Sequence, residues 1–310
     1  MTLPVSTYSI VARDSVTGEI GVAVQSHYFS VGPIVPWAEA GVGAVATQSL
    51  VDPSYGPLGL ELMRAGRTAS EALDALVSTD AGRESRQVAM IDAEGRVAVH
   101  TGKKAIAKAG HKVGAQYSVQ ANLMEKSTVW DAMADAFEES EGDLAERMLC
   151  ALEAAEAEGG DIRGRQSAAI VIVRETSTGR PWADRLFDLR VEDHPRPVSE
   201  LRRLVQLQRA YNHLGDVAAA AAEEPERVLA VASEISSLVP DKATNGEIPF
   251  WIGLDLLDAG HESDAIAYLH RAYGQDRRWA EVVVRLVPAG ILPDDRPLID
   301  RLVQGMKEKR

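Results

Sequence analysis

The dipeptide Ser6-Thr7 opens the first regular stretch of the chain, TYSIVARD, with only six residues ahead of Thr7. A threonine hydroxyl is a weak nucleophile until a base takes its proton. One recurrent solution places it first in the chain, so that its own α-amine is that base. A free α-amine has a pKa of about 7.7–8.0, so a useful neutral fraction exists near pH 7 without any histidine. Such a nucleophile must stand where a strand begins, inside a layered core. Thr7 stands at such a start, with Ser6 as the reserve candidate. The plainer alternative is that a hydroxyl pair decorates the beginning of a strand.

Other polar residues interrupt apolar blocks. Asn122, in VQANL, has an amide that can donate to a developing oxyanion without changing charge. Gln48 and Asp52, in TQSLVDPSYG, are candidates to touch a substrate, although Asp52-Pro53-Ser54-Tyr55 reads equally well as a turn. His27 follows the second apolar run and is expected near the same pocket. The segment GGDIRGRQS sets Asp161, Arg163, Arg165 and Ser167 in a loop directly before a buried strand, where a rigid scaffold presents chemistry. A salt-bridged turn, Asp161 with Arg163 or Arg165, is the competing reading.

Several chemistries are absent from the sequence. No HExxH or His/Cys cluster suggests a metal, and no GxxxxGK[ST], GxSxG or SxxK motif occurs. GVGAVA at Gly41 offers a GxGxxA spacing but opens no helix, so strand packing is expected there. Neither a cofactor nor a metal is expected. The single cysteine, Cys150, excludes an intrachain disulfide and is expected to be a small buried hydrophobe in a helical stripe.

The net charge of -13 disfavours nucleic acid and anionic membranes as partners. No segment has the apolar length to span a bilayer, and Arg13 and Asp14 interrupt the first apolar run, so no signal peptide is read and a cytoplasmic protein is expected. The 310 residues suggest two domains.

The elements that must position these residues follow from periodicity. TYSIVARD and EIGVAVQS form a hairpin around Ser15-Val16-Thr17-Gly18, and GVGAVATQ is a buried strand. Two helices follow, about Tyr55 to Ala65 and one opened by a Thr68/Glu71 capping box. RQVAMID and RVAVHTG make a second hairpin, and YSVQANL adds a strand. A second helix pair covers Ser127 to Glu139 and LAERMLCALEAAEAEG, the latter capped by Asp143. SAAIVIVRE and DRLFDLRVED close a third hairpin. Hairpins imply antiparallel sheets, and the α+β order suits a four-layer αββα sandwich for residues 1–195. After His194-Pro195-Arg196-Pro197 the chain reads as all helix. From Phe250, the spacing of Gly253, Ala265, Leu269 and Ala272 is tetratricopeptide-like, so 196–310 is expected to be a small helical-repeat module.

TYSIVARDSVTGEIGVAVQS, GVGAVATQSLVDPSYGPLG, GRESRQVAMID, VQANLM and GGDIRGRQSAAIVIV together resemble the family catalogued as domain of unknown function 1028, grouped with the proteasome-like Ntn-hydrolases. The resemblance spans roughly residues 7 to 195. It implies the αββα fold and amide-bond hydrolysis through an N-terminal nucleophile. The family's opening threonine-aromatic-Ser-Ile-Val matches Thr7-Tyr8-Ser9-Ile10-Val11, which makes Thr7 the implied nucleophile. By analogy with the superfamily, Asp161 and Ser167 orient or relay protons to the α-amine, and a cation such as Arg86 lowers its pKa; a structural ion pair is the alternative for Arg86. Arg165 joins His27, Gln48, Asp52 and Arg86 as substrate-binding candidates. Some members carry a C-terminal segment labelled peptidoglycan-binding, and Phe250 to Asp294 looks similar.

In many relatives the threonine directly follows the initiator methionine, whereas here MTLPVS precedes it. Either the start is misassigned, or the six residues are removed, or the chain does not use the α-amine. The expected function is therefore hydrolysis of a carbon–nitrogen bond in a small amide, cyclic amide or short peptide, by an acyl-enzyme on Thr7 in a homo-oligomer. The rival is an inactive sandwich used for binding or assembly, its helical module docking a partner.

Overall fold

The computed structural model describes residues 5–308, so MTLP, most of the segment ahead of Thr7, lies outside the described residues. β1 (Thr7–Arg13) and β2 (Ile20–Ser26) form the first hairpin, with Thr7 opposite Ser26. Its turn is closed by Asp14, whose Oδ1 accepts from the amides of Val16 and Thr17. β3 (Pro36–Glu39), β4 (Gly43–Ser49), α1 (Tyr55–Arg64) and α2 (Ala69–Thr79) come next. Then follow β5 (Arg86–Asp92), β6 (Val97–Thr101), β7 (Gly110–Gly114) and β8 (Tyr117–Ala121). α3 (Val129–Glu139), α4 (Leu144–Ala157), β9 (Ser167–Val173) and β10 (Arg185–Val191) complete the series.

The strands make two antiparallel sheets, β10-β9-β2-β1-β8-β7 and β3-β4-β5-β6. Alternation along β1 shows how they pack, because successive side chains leave a strand on opposite faces. Tyr8, Ile10 and Ala12 join Met133, Phe137, Met148 and Leu152 of α3 and α4 in one apolar cluster. Val11 faces the other way, into a cluster with Val22, Val24, Ala44, Ala46, Ala89 and Ile91 that lies between the sheets. The far face of the smaller sheet carries Val45, Val88 and Met90, packed on Tyr55, Leu60, Met63 and Leu73 of the first helix pair. Both faces of the central strands are thus covered, which is why they read as continuous apolar runs.

Local signals hold where they were expected. Thr68 Oγ1 accepts from the amide of Glu71, and Glu71 Oε2 accepts from the amide of Thr68. Asp143 Oδ1 accepts from the amide of Glu146 at the start of α4. Gly43 belongs to a strand: at φ +150° its Cβ position would lie 2.3 Å from the Ile91 carbonyl oxygen, so only glycine lets β4 approach β5 there. Cys150 departs from expectation. It is half-buried, with Sγ 3.9 Å from the Arg202 guanidinium, which pairs with Glu146 and Glu153. Two strands, β3 and β7, were not foreseen; both are sheet edges.

α5 (Pro197–Asn212) begins at the second proline of the 195–197 segment, and along its course one compact unit ends at Val205 and another starts at Gln206. The second unit is helical: α6 (Asp216–Glu223), α7 (Val228–Leu238), α8 (Glu247–Asp258), α9 (Glu262–Gln275), α10 (Trp279–Leu286) and α11 (Arg296–Lys307). α8 and α9 approach closely at Gly253, where a Cβ would stand 2.9 Å from Leu269 Cγ and 3.1 Å from the Ala265 carbonyl oxygen.

Two expectations follow. Thr68→Ala removes half of the capping box and should cost about 1 kcal/mol in urea denaturation. In the helical unit, burial and then the neighbouring Asp258 push the Asp255 carboxyl up to about 6. A carboxyl that binds its proton more tightly when folded stabilises the fold below its unfolded pKa of about 3.9, and that contribution is lost as pH rises through the folded value. Hydrogen-exchange protection of α8, corrected for intrinsic rates, should therefore fall between about pH 4 and 6, and Asp255→Asn should remove that slope.

Candidate functional site

Thr7 and Ser9 share the inward face of β1 with Val11, but the space they face is polar. Gln48 of β4 and Gln87 of β5 reach it from the smaller sheet, and Gln120 and Asn122 reach it from the end of β8. All six are fully buried. Gln87 Nε2 donates to Thr101 Oγ1, to the Gly110 carbonyl and to the Ala121 carbonyl at 3.0–3.1 Å. Gln87 Oε1 is therefore an acceptor, and it takes Gln48 Nε2 at 2.8 Å and Asn122 Nδ2 at 3.1 Å. Gln48 Nε2 also donates to the Thr7 carbonyl at 3.2 Å, and the Asn122 amide N–H to the same oxygen at 3.1 Å. Ser9 Oγ donates to Gln48 Oε1 at 2.7 Å and accepts from Gln120 Nε2 at 2.6 Å. The network clamps the backbone of Thr7 from two sheets.

The peptide bond before Thr7 is held as firmly. The Ser6 carbonyl oxygen accepts from Ser26 Oγ at 2.5 Å and from Arg163 Nη2 at 2.9 Å. Arg163 is aimed there by Asp161, which takes its Nε at 3.0 Å and its Nη2 at 2.7 Å. Asp161 is itself buried and also accepts from the amides of Arg163 and His27. Gly159 and Gly160, both at positive φ, let the chain leave α4 and turn straight into Asp161. Thr7 Oγ1 donates to the Val5 carbonyl at 2.9 Å. Three buried side-chain atoms close to this bond have no hydrogen-bond partner among the described residues: Ser6 Oγ, Ser49 Oγ and Asn122 Oδ1. Ser49 at φ +74° and Leu123 at φ +58° flank the site in the left-handed region. Such conformations cost about 1–3 kcal/mol each for side-chain-bearing residues and concentrate at functional sites.

The structure gathers Ser6, Thr7, Gln48, Asn122 and, through Arg163, Asp161. Asn122 presents an acceptor, Oδ1, to the site, because its Nδ2 donates to Gln87 Oε1 and reaches the Thr7 carbonyl at 3.5 Å. His27 adjoins through its main chain, and its Nδ1 has no partner among the described residues. Ser167 lies two strands from Thr7, across Ser26 in the register, and its hydroxyl donates to the Tyr28 carbonyl and accepts from the Val31 amide. The remaining candidates are engaged elsewhere. Asp52 Oδ1 accepts from Ser54 N and Oγ in a turn. Arg86 pairs with Asp80 at 2.8 Å and donates to the Leu50 carbonyl; the hydrogen bond to Asp80 holds the guanidinium pKa above its usual value. Arg165 lies 3.5 Å from Glu156 of α4.

Sequence reasoning did not find Ser26 or the network residues Ser9, Gln87 and Gln120. A signal was present, since four of the buried runs carry a glutamine near one end: AVQS, ATQS, RQVA and SVQA. Among the described residues, no group of three or more His, Cys, Asp or Glu side chains is placed to hold a metal ion. No helix among them is long and apolar enough to cross a membrane.

Comparison with known proteins bears on the same region. Residues 7–201 match the family described as "Family of unknown function (DUF1028)". A crystal structure of protein SPO2555 from Silicibacter pomeroyi, itself assigned to DUF1028, is similar at 31% sequence identity and a TM-score of 0.58, covering 65% of this chain and 85% of that one. No curated protein matches. With the match beginning at Thr7 and extending over more than half of the sequence, the chain belongs to the DUF1028 family.

Proposed function

We propose that the chain is an N-terminal-nucleophile amidohydrolase that releases its own nucleophile by cutting the Ser6–Thr7 bond, and then cleaves a small amide, cyclic amide or short peptide. The observation that carries this reading is the Ser6 carbonyl, on the residue before Thr7, held between the Ser26 hydroxyl and the Arg163 guanidinium. A neutral carbonyl needs no cation, whereas the oxyanion formed when it is attacked does. The order helix pair, sheet, sheet, helix pair supports a four-layer αββα sandwich of the Ntn-hydrolase kind. The close α8–α9 contact at Gly253 supports a tetratricopeptide-like module in the helical unit.

In the first reaction Thr7 Oγ adds to the Ser6 carbonyl carbon, and the negative oxygen rests on Ser26 and Arg163. The carbon–nitrogen bond breaks, and the proton that leaves Oγ ends on the Thr7 nitrogen, now an amine. The Ser6 acyl group is then an ester on Oγ. Water hydrolyses it, freeing a Ser6 carboxylate and restoring the hydroxyl. In later cycles the free α-amine takes the Oγ proton as Thr7 attacks a substrate amide, and passes it to the departing amine. Water attacks the resulting ester, giving its proton to the α-amine, which returns one to Oγ. Asn122 Oδ1 is an acceptor suited to orient the ammonium form. Asp161 acts as a positioning residue through Arg163.

One observation favours a second reading. In the uncut chain Thr7 nitrogen is a fully buried amide, and Val5 is paired with Ser49. A chain that keeps these residues has no α-amine at Thr7 and would serve as a binding or assembly protein.

Intact mass followed after expression tests the proposal. Wild type should lose six residues, and Thr7→Ala should retain them while melting normally. Ser26→Ala and Arg163→Gln should each slow the loss by about 10²-fold, the usual effect of removing one oxyanion donor. Asp161→Asn should slow it less, because Arg163 keeps its charge. Loss of the same residues from Thr7→Ala at the wild-type rate would assign the cut to another protease and refute self-cleavage.

A further inference from the structure

Val5 and Ser6 occupy a slot of defined chemistry. Val5 N donates to the Ser49 carbonyl at 2.8 Å, and Ser49 N donates to the Val5 carbonyl at 2.9 Å, a one-residue antiparallel bridge to the last residue of β4. The Val5 side chain is 1% exposed and belongs to the inter-sheet cluster that includes Val31, Val35 and Val51. Ser6 is fully buried, its hydroxyl has no partner among the described residues, and its carbonyl lies under Ser26 and Arg163. None of these contacts requires that Val5 and Ser6 be joined to Thr7. They recognise an extended backbone, a branched apolar side chain, a small side chain and a carbonyl.

We infer that Val5-Ser6 is a built-in template for the acyl half of the substrate: the freed site takes an acylated dipeptide amide or a short peptide, with a small residue at the cleaved carbonyl and a β-branched apolar residue before it. This rests on the Thr7 reading above, because one nucleophile and one pair of donors must meet the carbonyl of the segment first and of the substrate later. Ser49 supplies both backbone hydrogen bonds, as in strand addition to a sheet edge. The Val5 position excludes charge, since an unpaired ion there would be desolvated among valines. At the Ser6 position the hydroxyl gains no hydrogen bond, so alanine should serve as well as serine, while close packing rejects larger side chains. Ser49 is held at positive φ with a buried, unpartnered hydroxyl, a strain that recognition of a strand at this point accounts for.

The test uses the chain beginning at Thr7, in which β1 keeps both of its strand partners. The probes are the cleavage products acetyl-Val-Ala, acetyl-Asp-Ala and acetyl-Val-Phe, titrated calorimetrically, with carboxylates that bind without turnover. Acetyl-Val-Ala should bind at least about ten-fold more tightly than either other peptide, the scale on which pockets discriminate side chains. Equal binding, or none, would overturn the template. The anilides of the same peptides report on Thr7 separately. Thr7-dependent hydrolysis without a Val-Ala preference would overturn the template and leave the hydrolase standing. Selective binding without hydrolysis would support the template and contradict the hydrolase. Should the shortened chain fail to fold, the full chain carries the test: loss of the first six residues should slow about ten-fold in Val5→Gly but not in Val5→Ile, and equal rates would overturn the template.

Discussion

Gln87 is the side chain on which the site depends. Its amide spans the gap between the two sheets, donating to carbonyls of β7 and β8 and to Thr101, and accepting from Gln48 and Asn122. Gln48, Asn122 and the Ala121 carbonyl are buried while Thr101 and Gly110 are half-buried, and leaving a buried group unpaired costs about 1–3 kcal/mol. A one-residue slip of β4 or β5 would turn Gln48 or Gln87 toward the outer helices and leave apolar side chains facing carbonyls. The network therefore fixes the register of β4 and β5 against β1 and β8. The apolar remainder of the inter-sheet space, from Val11 to Ile91, supplies the burial that holds the sheets together.

Against that rigid floor, the Ser6 carbonyl is unusual for the strength of its donors. A guanidinium fastened in two places to a buried carboxylate has little freedom left to lose, so its hydrogen bond to a carbonyl is preorganised. It stabilises a neutral oxygen modestly and an anionic one strongly, which is the differential that accelerates a reaction. Asp161 and Arg163 also balance each other's charge, so the site carries a directed dipole without an unpaired buried ion. The salt-bridged turn, one of the two readings of GGDIRGRQS, is present, and the same Arg163 guanidinium reaches the Ser6 carbonyl.

The sequence was most legible where burial was most complete. β1, β2, β5 and β9 carry unbroken apolar runs, and the Thr68/Glu71 and Asp143 caps have local spacing that needs no tertiary knowledge. β3 and β7 escaped because edge strands need bury only one face: PWAE begins with proline, and GHKVG is polar and glycine-flanked. The site was half legible. Thr7, Gln48, Asn122 and Asp161 stood out as polar residues in apolar blocks or through the family resemblance. Ser26 did not, because its role arises from a cross-strand pairing 19 residues away from Thr7. Arg86, Arg165 and Ser167 looked equally promising as residue types. Only their partners (Asp80, Glu156 and the Tyr28 carbonyl) show what each one holds.

The state of the Thr7 nitrogen decides whether an N-terminal nucleophile exists, and it is read from the intact mass and N-terminal sequence of the protein purified from its native host without a tag. A chain that begins at Thr7 is expected. A chain that still carries Val5-Ser6 would keep that nitrogen in a peptide bond, and would contradict the N-terminal-nucleophile mechanism.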